Sequence, residues 1–238
     1  MIVIRSNLVL LMFVFFSIPM NSYGMDCSKS FYMESYNVNR INEAIGSHPD
    51  KKIIEKIDKS KGVLLYLKGL MLNYGVYYGR NYNEALKIFD TLSMRDSLSS
   101  FQAGLILFLC ENDISINDRN HDVYYYFDLA YKNGEPRAGY FKYLLEYYSE
   151  KISLNKYVQS LVEVNNLERS SLVDFELAYQ AYLSDSEYRY LLEGTKLFST
   201  CDFYNVITEP SIYDDAELNS RLYFIKEINS GYYNGCIN

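Results

Sequence analysis

Gly104-Leu105-Ile106 is flanked at 35 residues on either side by Gly69-Leu70-Met71 and Gly139-Tyr140-Phe141, and each glycine lies inside an apolar segment. Five residues after the three glycines stand Tyr74, Leu109 and Leu144. Offsets of one, two and five share one side of a 3.6-residue helix, so the three segments are expected to be helices that bury the same stripe. A glycine inside a helix costs about 1 kcal/mol relative to alanine. Its recurrence in register predicts that a neighbouring helix crosses each segment too closely to admit a side chain.

A second helix is expected after each of the first two. The run Asn81-Tyr82-Asn83-Glu84-Ala85-Leu86-Lys87-Ile88-Phe89-Asp90 opens with Asn followed three residues later by Glu, close to a capping box. Leu86, Phe89 and Leu92 then recur at helical spacing. Arg119 to Ala130 repeats the Phe-Asp pair at Phe127-Asp128, and Asn133-Gly134 supplies a stop. Phe127 follows Phe89 by 38 residues instead of 35, which places about three extra residues in the connection from Glu111 to Arg119. On the N-terminal side, Val38 to Gly46 and Asp50 to Lys59 read as a helix pair around Pro49. On the C-terminal side, Leu154 to Leu167, Ser171 to Leu183 and Glu187 to Phe198 read as helices, with Ala178 and Ala181 in the small-residue role. Asp202 to Ser211, which contains Pro210, reads as a loop. Asp214 to Asn229 reads as a final helix capping the stack, since the last apolar face of such an array needs a cover.

Composition points the same way. Among 238 residues there are only 4 Pro and 12 Gly, too few for a turn-dense sandwich, a collagen-like chain or a flexible linker. The 26 Tyr and 13 Phe, with no Trp, make the chain aromatic-rich. A formal net charge of −7 argues against nucleic acid, because affinity there rests on neutralising phosphates with Lys and Arg.

The run Arg80 to Phe89, and the run Ala130 to Tyr140 with its Asn133-Gly134-Glu135-Pro136-Arg137-Ala138-Gly139-Tyr140, resemble Sel1-like repeats, a family similar to the tetratricopeptide repeats. The resemblance covers roughly residues 61–150. It implies an all-α fold, a short right-handed α-solenoid of antiparallel helix pairs. The alanines usual in the second helix are here replaced by Val123 and Tyr124, which blurs the unit boundaries. The chain accordingly divides into a signal peptide (1–24), an N-terminal helix pair (25–60), Sel1-like repeats (61–150), and degenerate helical repeats with a C-terminal cap (151–238).

Residues 1–24 read as an export signal. Arg5 gives the positive start, Leu8 to Ile18 the apolar core, Pro19 the break, and Ser22-Tyr23-Gly24 the small residues before cleavage. The apolar run falls short of the roughly 20 residues a bilayer span needs, so no stable membrane insertion is expected after cleavage. Asp26, in the place of a small residue before Cys27, argues against lipidation. The expected location is periplasmic or secreted. Four cysteines, Cys27, Cys110, Cys201 and Cys236, then favour two disulfides. Of three possible pairings, Cys201 with Cys236 and Cys27 with Cys110 are preferred, and packed free thiols are the alternative. Their wide gaps show no metal-ligand spacing.

His48 and His121 sit in no catalytic constellation, and neither a nucleophile elbow nor a glycine-rich phosphate loop is present. A non-enzymatic protein without cofactor or metal is therefore expected, binding another protein, with the acidic excess suiting a basic partner. Tyrosine is favoured at interfaces for its rigid apolar area and polar tip. Tyr77, Tyr78, Tyr124, Tyr140 and Tyr147 are the candidate partner-binding residues. The Sel1-like resemblance implies an adaptor of the bacterial envelope, most concretely an immunity protein that neutralises a secreted antibacterial toxin. The alternatives are a secreted host-directed virulence factor and a cell-wall or β-lactam-binding protein. Cysteine-rich Sel1-like proteins of the latter kind have a cysteine pair in every repeat, a pattern missing here.

Overall fold

The computed structural model describes residues 41–43, 45–46, 51–59, 61–110, 114, 120–168 and 171–184, and, further along, 216, 219–221, 223 and 224. Its helices are α1 (Lys51–Asp58), α2 (Val63–Tyr74), α3 (Tyr82–Ser93), α4 (Ser97–Leu109), α5 (Val123–Lys132), α6 (Pro136–Tyr148), α7 (Leu154–Leu167) and α8 (Ser171–Leu183). Among the described residues there is no strand, and each helix packs against the next in the chain. The fold is all-α.

Local chemistry sets the helix ends. Asn81 Oδ1 accepts the Glu84 N–H at 3.0 Å, Asp96 accepts that of Ser99 at 3.0 Å, and Asp122 accepts that of Tyr125 at 2.7 Å. Each such cap satisfies an orphan helix donor and contributes about 1 kcal/mol. The expected Asn81 cap is thus in place, while the Glu84 carboxylate faces Lys68 at 3.7 Å. At the end of α5 the chain turns at Gly134, whose φ of 90° is the left-handed conformation that favours glycine.

Successive helices differ in how they are covered. Within α4 and α6 no residue is fully exposed, whereas α3 presents Glu84, Lys87 and Thr91 to solvent and α7 presents Lys156, Gln159 and Glu163. α4 and α6 are thus covered on all sides by their neighbours, whereas α3 and α7 are covered on one.

The three glycines are crossing points. A Cβ on Gly69 would lie 2.7 Å from Phe89 Cε1, and one on Gly104 would lie 2.7 Å from Phe127 Cε1. On Gly139 it would lie 2.6 Å from Val164 Cγ2 and 2.8 Å from Tyr131 Cε2. So the helix after each glycine seats a side chain where the Cβ would be, as the register predicted. Most of the stripe is buried as well: Leu70, Met71, Leu105, Ile106, Leu109, Tyr140, Phe141 and Leu144 lie in the core, while Tyr74 at the end of α2 is half-buried. Phe89 and Phe127 are fully buried; the connection from 111 to 119, in which the extra residues are expected, lies outside the described residues except for Ile114.

Of the two alanines expected in the small-residue role, Ala178 is fully buried on α8 and Ala181 is half-buried. The Phe224 ring packs over the residues that bracket Ala178, 5.6 Å from the ring centroids of both Phe175 and Tyr179 and 4.9 Å from that of Tyr182. The described residues around Phe224 are helical and lie against α8. At the other end, Ile41 to Glu43 and Ile45 are helical, and Ile41 and Ile57 are fully buried.

Cys110, buried after α4, is disulfide-bonded. Cys27, Cys201 and Cys236, residues 1–24, the expected helix Glu187 to Phe198 and the expected loop Asp202 to Ser211 lie outside the described residues.

Candidate functional site

The five sequence-selected tyrosines occupy different surroundings. Tyr77, 39% exposed, sits in the loop after α2 at a φ of 64°. That conformation costs a bulky side chain about 1 kcal/mol or more. Its hydroxyl offsets the strain by donating to Gly46 O at 2.9 Å or Asn42 Oδ1 at 3.1 Å. Tyr78 donates to Asp58 Oδ1 at 2.9 Å, and Lys68 Nζ lies 3.2 Å from the same oxygen. Burial, followed by the Asp58 contact, pushes the Tyr78 phenol up to about 12. The Tyr78 hydrogen bond, opposed by burial and aided by the neighbouring Lys68, holds the Asp58 carboxyl below its ordinary value.

Tyr124, at the start of α5, repeats this arrangement on α6. Its hydroxyl donates to Glu146 Oε1 at 2.7 Å, and Lys142 Nζ lies 2.8 Å from that oxygen. Burial, followed by the Glu146 contact, raises the Tyr124 phenol above its ordinary value. Lys151 Nζ lies 4.6 Å from the Tyr124 ring centroid, within reach of a cation–π attraction. Tyr147 is half-buried and stacks face to face on Tyr157 at 4.8 Å. Tyr140 is 2% exposed, edge-on to Phe141 at 5.0 Å. It is a core residue and not a surface anchor, because the position after Gly139 falls on the stripe that the stack buries. Tyr77 and Tyr78 hold the N-terminal residues to the stack, while Tyr124 and Tyr147 belong to its α5–α7 portion.

A further cluster of rings lies between the end of α3 and the start of α5. Met94 is 68% exposed, and the Tyr125 hydroxyl donates to its sulfur at 3.4 Å. The His121 ring stacks on Tyr125 at 3.9 Å and meets Tyr126 edge-on at 5.8 Å. Beneath this layer the buried Tyr126 donates to Asp90 Oδ1 at 2.6 Å, and Asn120 Nδ2 donates to Asp90 Oδ2 at 2.6 Å. Burial, followed by the Asp90 contact, raises the Tyr126 phenol. Exposed Asp122 adds a further carboxylate to the rim. Met94 comes from another helix, and no local pattern announces it.

Among the described residues no group of three or more His, Cys, Asp or Glu is placed to hold a metal ion, and no helix is long and apolar enough to cross a membrane. No protein-family model matches the chain, and neither a curated protein nor a solved structure matches it.

Proposed function

We propose that this chain is a short right-handed solenoid of Sel1-like helix pairs, exported to the bacterial envelope, where it binds another protein and performs no catalysis. Its most concrete role is that of an immunity protein neutralising a secreted antibacterial toxin. The observation that carries the binding reading is the Met94–Tyr125–His121 surface. Tyrosine and methionine supply adaptable apolar area where a partner displaces water, and they are enriched at interfaces. The rim of Asp90 and Asp122 suits a basic partner. The disulfide at Cys110 supports an oxidising compartment.

Co-expression with the product of the adjacent reading frame, assayed as an antibacterial toxin, tests the reading. Growth is restored by the wild-type protein, the toxin co-purifies with it, and a Met94→Ala/Tyr125→Ala variant of unchanged melting temperature loses both. Continued toxicity together with a pull-down free of toxin overturns it.

A further inference from the structure

Tyrosine hydroxyls donate to carboxylates at Tyr78 to Asp58, Tyr124 to Glu146 and Tyr126 to Asp90. In the first two, the oxygen that accepts the phenol also accepts a lysine of this chain. Asp58 Oδ1 takes Lys68 at 3.2 Å, and Glu146 Oε1 takes Lys142 at 2.8 Å. Aromatic faces complete each seat, with Lys68 Nζ 5.8 Å from the Tyr78 ring centroid and Lys142 Nζ 4.1 Å from that of Tyr143. A carboxylate beside a ring also holds Arg221, bidentate on Glu176 at 2.8 and 2.9 Å and 4.5 Å from the Tyr179 ring centroid.

At Asp90 the carboxylate and the rings are present, but among the described residues no Lys or Arg lies within ion-pair distance. Asp90 is half-buried, each oxygen receives one neutral donor, and each keeps a lone pair. A half-desolvated carboxylate gains most from a charged donor, and aromatic rings beside it add to that attraction.

We propose that Asp90 and Tyr126, walled by Tyr125 and His121, form a seat for a lysine side chain presented by a basic protein partner. The inference rests on the protein-binding reading and names the chemistry of the partner's anchor. The seat repeats a device that the chain fills elsewhere with its own lysines; here the half-buried Asp90 carries no lysine of the described residues, and exposed Met94 and half-buried Tyr125 beside it offer apolar contact. The net charge of −7 steers a basic partner toward it.

The test is an NMR titration of the mature, disulfide-intact protein with the capped peptide acetyl-Gly-Lys-Gly-amide, alongside the same peptide carrying acetyl-lysine. The lysine peptide is expected to shift the Tyr125 and His121 ring signals and the Asn120 amide saturably. Affinity should fall about tenfold for the acetylated peptide and for Asp90→Asn, the loss of one charge-assisted hydrogen bond. Tyr125→Leu, which keeps apolar area and removes the ring, should weaken binding at an unchanged melting temperature. Equal saturation by both peptides, undiminished binding to Asp90→Asn, or saturable shifts confined to other regions overturn the proposal. Toxin neutralisation that survives Asp90→Asn with a null titration removes this seat and leaves the protein-binding reading standing. Loss of neutralisation in the wild type removes the broader reading.

Discussion

The Phe127 ring lies where a side chain on Gly104 would have to go, with Cε1 2.7 Å from the Cβ position. Phe127 is fully buried and stacked on Phe141 at 4.8 Å, so it has no room to retreat. Gly104→Ala gains helix propensity of about 1 kcal/mol, yet overpacking on this scale costs about 1–3 kcal/mol net and a few degrees of melting temperature. Gly79→Ala, where nothing lies within 4 Å of the Cβ, should leave stability unchanged or slightly raised. Denaturant unfolding of the two variants checks the contrast, and Phe127→Leu added to Gly104→Ala should restore part of the loss.

Arg221 and Glu176 are both fully buried and meet through two hydrogen bonds. Removing one partner leaves the other charge stranded in the core, at a cost of about 3–5 kcal/mol. Arg221→Met and Glu176→Gln should each lower the denaturation midpoint strongly. The double replacement Arg221→Met/Glu176→Leu should cost less than the sum of the two. Limited proteolysis should show cleavage C-terminal to α8 in both single variants.

The Asp58–Tyr78 pair gives stability a pH dependence at both extremes. Asp58 is held below its ordinary value, so its contribution is present above the unfolded-state pKa of about 4 and is lost as pH falls through the folded value. Tyr78 is pushed up to about 12, so its contribution is full below the ordinary phenol pKa of about 10 and is lost as pH rises toward 12. Melting temperatures of wild type and Tyr78→Phe between pH 9 and 12 should converge as the alkaline limit is approached. Phenolate absorbance should show a class of tyrosines, Tyr124 and Tyr126 among them, that titrates above the exposed set until the protein unfolds.

Breaking the disulfide at Cys110 should cost about 2–5 kcal/mol. Cys110→Ser, or reduction before heating, should lower the melting temperature. In the serine variant the former partner becomes a free thiol, and alkylation followed by mass spectrometry identifies it. Labelling of Cys27 bears out the preferred pairing, and labelling of Cys201 or Cys236 replaces it.

Where the physics was periodic, the sequence was legible. The expected helices Leu154 to Leu167 and Ser171 to Leu183 coincide with α7 and α8, because apolar spacing and end residues such as Ser153 act within a few positions. Gly69, Gly104 and Gly139 disclosed the close crossings because glycine in a helix interior is unfavourable without such a reason. Tyr140 was misassigned to the surface although the same periodicity placed it on the buried stripe. Met94 and Arg221 were missed for the opposite cause: each acts on a residue far along the chain, with Met94 31 positions from Tyr125 and Arg221 45 from Glu176. No local pattern encodes such a pairing.

The sunken guanidinium of Arg221 also sets the order in which this molecule can be completed. A nascent chain leaving the ribosome exposes α8 well before residue 221 emerges. During that interval the Glu176 carboxylate lacks its counter-ion, and Phe175 and Tyr179 lack the Phe224 ring that later covers them. A product truncated before residue 221 would keep α8 in that open state, a ready substrate for holding chaperones and quality-control proteases.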